Sequence, residues 1–232
     1  MSFTREQLKR YSRQVLLPEI GLNGVEKLRD SSVLVVGAGG LGSPVLTYLV
    51  SSGVGRIRIA EFDTLELSNL QRQFLYDSHG IGQPKLELAL ERLSAQNPEV
   101  RLEPVGKFTA SNAEDAIGAS QLVLDCSDTI QTRHLVSDFC SSLKKYHVWG
   151  AAEGFTGMSA VFGWQHTLRQ AFPDATPRDD CNTIGVLAPL LGVIGSLMAT
   201  NALKLLLGLE VRISELVLFD ALDSGFRTIK LK

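Results

Sequence analysis

The run Ser32-Val33-Leu34-Val35-Val36, passing straight into Gly37-Ala38-Gly39-Gly40-Leu41-Gly42, constrains this chain more than any other stretch. Apolar, β-branched residues with no polar alternation are what a strand covered on both faces requires, and such strands belong to parallel sheets. Residues 41–52 then read as a helix. A strand that ends in glycine and feeds a helix brings free backbone amides to a helix N-terminus, where an anion is held by hydrogen bonds and by the helix dipole. Gly37, Gly39 and Gly42 have the spacing of a dinucleotide-type turn, in which glycine lets the backbone bend sharply and approach a phosphate.

The alternation continues down the chain. Strands are expected over 57–61, 101–105, 122–125 and 148–152, and helices over 84–96, 112–118 and 130–145. Strand and helix in alternation give an α/β, Rossmann-like, largely parallel sheet with helices on both faces and right-handed crossovers. Beyond residue 152 the pattern changes: strands over 157–164, 215–220 and 227–231 surround a long helix over 190–207, which predicts a sheet extended by antiparallel strands. At the other end a short helix is expected over 5–14, opened by a capping box of Thr4 and Gln7. The polar stretch 165–182, with Pro173, Pro177, Asp174, Asp179 and Asp180, is too long for an ordinary connector and reads as an active-site cover.

Bulk charge narrows the partners. With 23 basic against 25 acidic residues the net charge is −2, so neither nucleic acid nor an anionic membrane is expected and any anion site must be local. Cys126, Cys140 and Cys181 are too few and too irregular for a disulfide framework, and without a CxxC pair they give no structural zinc; a reducing, cytoplasmic location is expected. Residues 1–10 are polar and charged, unlike a secretory signal. Residues 184–203 lack charge over a membrane-spanning length, yet Gly185, Pro189, Gly192, Gly195, Ser196, Thr200 and Asn201 interrupt them, so the segment reads as core or subunit interface.

Candidate chemistry gathers where the parallel strands end. Glu61 closes the second strand, about twenty residues beyond the glycine turn, where an acid accepts hydrogen bonds from ribose hydroxyls. Ser68-Asn69-Leu70-Gln71-Arg72-Gln73 follows, and then Lys85 at the start of a helix. A guanidinium grips phosphate oxygens bidentately and an ammonium acts as a point charge. Two such cations suit a triphosphate, although on spacing alone both also read as solvated surface residues. Asp125 and Asp128 end the fourth strand, at the sheet edge where open α/β folds bind ligands. Asp128 is placed to hold Mg²⁺ between a carboxylate and phosphate oxygens, or merely to cap the helix near Ile130; Asp125 reads as structural. The glycine turn by itself does not separate NAD from ATP.

Together, Arg10-Tyr11-Ser12-Arg13-Gln14, GAGGLG at 37–42, SNLQRQ at 68–73, GQPK at 82–85, LDCSD at 124–128 and GVLAPLLGVIG at 185–195 resemble the MoeB/ThiF/HesA family over nearly the whole chain. The resemblance implies an adenylyltransferase, a bacterial relative of ubiquitin-activating enzymes, that uses ATP and Mg²⁺ to activate the C-terminal Gly-Gly carboxylate of a ubiquitin-like sulfur carrier, releasing pyrophosphate. It implies Gly37, Gly39, Gly40 and Gly42 against the nucleotide and Glu61 at the ribose. Ser68, Asn69, Leu70, Gln71, Arg72 and Lys85 then surround the phosphates, Asp128 holds magnesium, and Thr129 stands beside it where Asn is frequent in the family. Arg13 matches an arginine that crosses a homodimer into the partner's site. The same resemblance divides a single domain, 1–232, into a helical arm (4–28), a nucleotide-binding half (31–152), and a carrier-binding and dimerisation half (153–232) with the loop 165–182.

The chain departs from that pattern in places. The two CxxC pairs that bind structural zinc in the usual members are missing, the first region reading Gln165-His166-Thr167-Leu168-Arg169-Gln170, so zinc is expected to be absent. Glu61 replaces the commoner Asp. Cys181 aligns with the cysteine that forms a covalent sulfur link with the carrier in ThiF-like members, though its acidic neighbours oppose a resting thiolate. A sulfurtransferase or cysteine desulfurase is then an implied partner. Cys126 and Cys140 read as buried apolar residues. Two other readings stay open at this point: a nicotinamide-dependent oxidoreductase resting on GAGGLG and Glu61, and a carrier-binding protein without catalysis.

Overall fold

A computed structural model describes residues 3–173 and 185–231. Five strands, β1 (Ser32–Val36), β2 (Arg56–Ala60), β3 (Arg101–Pro104), β4 (Leu122–Asp125) and β5 (Tyr146–Glu153), pair in parallel. Three more, β6 (Thr156–Phe162), β7 (Glu215–Asp220) and β8 (Gly225–Lys230), continue the sheet antiparallel, giving the order β3-β2-β1-β4-β5-β6-β7-β8. The direction of strand order reverses between β1 and β4, where Val36 pairs with Asp125. In open α/β sheets the crevice at such a reversal is where ligands bind.

Why β1 lacks polar alternation is plain from its neighbours. Val33 and Val35 pack into one apolar cluster with Leu46, Leu49, Leu93 and Ile194, while Leu34 and Val36 join another with Ile117, Val136 and Cys140. Successive side chains of a strand point to opposite faces, so a strand covered on both must be apolar throughout. The first cluster is roofed by the helices α4 (Gly42–Ser51), α5 (Lys85–Gln96) and α9 (Ala188–Leu207), the second by α6 (Ala113–Gly118) and α7 (Ile130–Ser142).

The long apolar helix α9 satisfies the length and composition of a membrane span. Its packing is that of a core helix: Leu190, Ile194, Met198 and Ala202, a stripe at i, i+4 spacing, are at most 1% exposed against β5, β6 and α4. Its close approach to α4 needs Gly195, where a methyl group would collide with the ring of Pro44. Gly208, with φ 77°, ends it in the left-handed cap that helices commonly use.

Several boundaries depart from those expected. The N-terminal helix is two pieces, α1 (Arg5–Arg10) and α2 (Ser12–Val15), broken at Tyr11; the Thr4–Gln7 capping box is formed. The break is an anchor, since the buried Tyr11 hydroxyl accepts from Asn97 Nδ2 at 3.0 Å and donates to Glu99 at 3.1 Å. Then α3 (Gly21–Arg29) leads into β1. Helix α7 stops at Ser142, short of the expected 145, because Lys144 adopts a left-handed φ of 53°. Within the stretch read as a cover, α8 (Leu168–Ala171) forms on a capping box of Thr167 and Gln170; residues 174–182 of that stretch lie outside the described residues.

Candidate active site

The glycine turn is shaped by collisions it must avoid. Gly37 has φ 93°, and a side chain there would meet the Cys126 carbonyl at 2.8 Å; one at Gly42 would run into the Gly37 carbonyl. The loop therefore lies flat on the turn that follows β4. Its first two amides are engaged, Gly37 N–H donating to Ala60 O and Ala38 N–H to Glu61 Oε2, both at 2.8 Å. The next three, on Gly39, Gly40 and Leu41, meet no acceptor among the described residues. Three open donors at the N-terminus of a ten-residue helix form a ready anion site.

Glu61 is 6% exposed and braces that loop: besides Ala38 it accepts from Phe62 and Asp63 N–H at 2.7 and 2.9 Å. A carboxylate has more lone pairs than these three bonds use, so a ribose hydroxyl can still be received. Lys85 is no solvated surface cation. It is 5% exposed, its amide is fixed to Asp63 O at 2.9 Å, and Nζ lies 3.4 Å from Asp63 Oδ2, which sets the ammonium at the end of β2. Arg72 is half-buried and curls over its own loop, Nη1 donating to Ser68 O at 3.0 Å. Asn69 is buried and closes a cap with Glu66, so it shapes the loop. Ser68, Leu70 and Gln71 lie on the same connection.

Asp128 is exposed on the turn after β4. The cap of the following helix belongs to its neighbour, because Thr129 Oγ1 accepts from Thr132 N–H at 3.3 Å. Among the described residues no group of three or more His, Cys, Asp and Glu is arranged to hold a metal. One exposed carboxylate on the turn against which Gly37 rests suits Mg²⁺, an ion that keeps water and takes most of its other ligands from phosphate.

Arg13 does not join this site in its own chain. It is exposed on α2, whose neighbours hold the far ends of two helices: Gln14 donates to Ser52 O at 3.2 Å and Arg10 to Gln96 O at 3.1 Å. Those residues end α4 and α5, whereas Gly42 and Lys85 begin them. At ~1.5 Å rise per residue the separation along the helices is about 15–18 Å. Cys181 lies outside the described residues. Cys126 and Cys140 are buried, and burial pushes both thiols up, away from the reactive thiolate.

The sequence pattern of the ThiF family matches residues 11–232. The chain belongs to the ThiF family. It is 45% identical to a Thermus thermophilus protein named sulfur carrier protein adenylyltransferase, covering all of this chain and 90% of that one. Against two Escherichia coli proteins, a sulfur carrier protein ThiS adenylyltransferase and a molybdopterin-synthase adenylyltransferase, identity is 40%. The alignments cover 96% and 97% of this chain and 91% and 93% of theirs. Among solved structures, Escherichia coli MccB with ATP superposes with a TM-score of 0.83 at 18% identity, over 96% of this chain and 71% of that one, which shows a shared fold.

Some residues near this ThiF-family site gain a role only from the fold. Tyr76 donates its buried hydroxyl to Ala38 O at 2.8 Å, tying the glycine loop to the SNLQRQ connection from behind. Gln73 is buried beside Gly39, and its Oε1 has no partner among the described residues. Asp63 faces the Lys85 ammonium, Arg133 donates to the carbonyl of Ser127 and His147 lies 3.2 Å from Asp125, yet they sit in a loop, α7 and β5. A polar residue at the end of an otherwise apolar strand, as at Asp125, was the one available sign of such support.

Proposed function

We propose that this chain is an adenylyltransferase that uses ATP to convert the C-terminal glycine carboxylate of a ubiquitin-like sulfur carrier into an acyl-adenylate, with release of pyrophosphate. What supports the reading is that three open loop amides and an exposed aspartate stand on the two turns at the reversal between β1 and β4, with a buried lysine at the end of the adjacent strand β2. Full-length relatives named for that activity, 40–45% identical, support the same substrate class.

The chemistry needs charge control more than proton transfer. The carrier's carboxylate oxygen attacks the α-phosphorus, a new O–P bond forms, and the bond to the bridging oxygen breaks as pyrophosphate leaves. A carboxylate at neutral pH is already ionised, so no base is needed. Two anions must approach, and groups fixed beforehand do the offsetting. The amides of Gly39, Gly40 and Leu41 receive phosphate oxygens, Lys85 places a charge at the end of β2, and Arg72 swings its guanidinium from Ser68 O toward the phosphates. Asp128 holds Mg²⁺, which neutralises phosphate oxygens when bound. Glu61 keeps the loop in shape and takes the ribose.

The working unit in this reading is a homodimer. Arg13 stands a helix length from its own site and so serves the partner's. The second subunit covers the apolar groove of about 560 Å³ lined by Pro44, Tyr48, Phe74, Val193, Leu197 and Phe226. Residues 153–232 form the carrier-binding and dimerisation half, 31–152 the nucleotide half and 4–28 the arm, in one domain of a cytoplasmic enzyme that holds no zinc. Cys181 acts in sulfur transfer after adenylation, with a sulfurtransferase or desulfurase as sulfur donor.

ATP–pyrophosphate exchange with purified Gly-Gly carriers tests the reading. Exchange is expected with one of them, abolished by Asp128→Ala and retained by Cys181→Ala. Saturable NADH binding in a protein that fails to bind ATP would reverse it in favour of an oxidoreductase.

A further inference from the structure

The turn that carries Asp128 is gripped from three sides through Ser127, the residue immediately before it. Asp125 Oδ1 accepts from Ser127 N–H at 3.0 Å and from Ser127 Oγ at 2.6 Å. Arg133 holds the carbonyl, with Nε and Nη2 both donating to Ser127 O at 3.1 and 2.9 Å, and its guanidinium lies over the ring of Trp149, 5.6 Å from the centroid. Every polar group of Ser127 is thus engaged by protein.

The grip is itself anchored from the neighbouring strand. His147 Nε2 lies 3.2 Å from Asp125 Oδ2; the two side chains are 2% and 0% exposed. Nδ1 of His147 is buried without a partner among the described residues, so the bond to Asp125 is the polar contact that orients the ring. Burial alone would lift the Asp125 carboxyl, but His147, Arg133 and Ser127 together hold it below the usual carboxylate range. An ionised carboxylate at the base of the turn therefore accepts three hydrogen bonds. The backbone of Cys126 and Ser127 is also the surface on which Gly37 rests, at a distance that excludes any side chain there.

We infer that His147, Asp125 and Arg133 are positioning residues for adenylation, acting as a clamp on Ser127 that sets where Asp128 presents its carboxylate and where the glycine loop lies. His147 and Asp125 are too deeply buried to meet a nucleotide themselves. Fixing the carbonyl of Ser127 fixes the peptide plane into Asp128, and with it the direction from which Asp128 reaches a metal–phosphate complex. Outer partners that orient a metal ligand typically change metal affinity or rate by about 10–100-fold when lost.

The inference rests on the adenylation reading for its consequence, and its test has a readout that does not need a carrier. Mn²⁺ binding in the presence of a non-hydrolysable ATP analogue, followed by the loss of the free-ion electron paramagnetic signal, is compared in wild type, His147→Leu, His147→Gln and Ser127→Ala, alongside exchange activity and thermal melting. Leucine removes the donor, while glutamine can set an amide N–H near the place of Nε2. Expected are a metal–nucleotide affinity about tenfold weaker in His147→Leu, recovery to within about threefold in His147→Gln, and a loss of about threefold in Ser127→Ala. Should His147→Leu fail to fold, Ser127→Ala, which removes a single hydroxyl, decides. Wild-type affinity in the folded variants, or equal loss in the leucine and glutamine variants with unchanged melting, overturns the clamp. A wild type that binds metal and nucleotide yet exchanges with no carrier leaves the clamp standing and removes the proposed substrate instead.

Discussion

Lys85→Met separates the two things a buried ammonium can do. The residue is 5% exposed, and its partner carboxylate, 3.4 Å away, is half in solvent at 51%. A pair with one member so well hydrated contributes less than about 1 kcal/mol, and withdrawing the ammonium from water works against even that. Methionine has a similar length and no charge to desolvate, while Asp63 retains water. Folding stability is therefore expected to change by less than about 1 kcal/mol in urea titration. The reaction should suffer far more, because a fixed positive charge at the phosphates is lost; a single such contact is commonly worth ~10²-fold in rate. Exchange with saturating carrier is the assay, run on protein shown to be folded. Exchange within threefold of wild type would refute the assignment of Lys85 to the phosphates. So would a stability loss above about 3 kcal/mol with exchange lowered only in proportion to the unfolded fraction.

Two further outcomes are expected. Arg13→Ala and Asp128→Ala should each be nearly inactive alone, yet an equal mixture refolded together should regain about a quarter of wild-type exchange, since half the dimers are mixed and each has one complete site. No recovery in a mixture shown to contain mixed dimers would place Arg13 outside the partner's site. Tyr76→Phe removes the 2.8 Å bond to Ala38 O, and because burial keeps that hydroxyl protonated it is a neutral donor. The cost should be about 1–2 kcal/mol in urea unfolding together with weaker ATP binding by calorimetry; an unchanged ATP affinity would show that the tie does not shape the loop.

What could be read from sequence divides along a physical line. Strand β1 and its glycine turn were legible because each leaves a mark in consecutive residues: an apolar run where both faces are covered, and glycines at a fixed spacing where a side chain would strike a carbonyl, that of Cys126 at Gly37 and that of Gly37 at Gly42. Lys85 was ambiguous, since nothing in GQPK says that the segment bridges back to residue 64 and buries the ammonium at the end of β2. Asp128 and Thr129 are both good capping residues one position apart, and only the start of α7 at Ile130 gives the cap to Thr129. His147 and Arg133 were invisible because their meaning lies in a contact between β5, α7 and the turn after β4, none of them sequence neighbours. His147 looks like any residue of a buried strand until β5 is set beside β4 with Val123 opposite His147, which brings the imidazole to Asp125. The glycine turn follows from spacing along the chain, whereas the burial of Lys85 and the contacts around Ser127 follow from how distant segments and strands are paired. A search for support residues in this fold should therefore start from the strand paired with the one that carries the acid, two positions toward its N-terminal end.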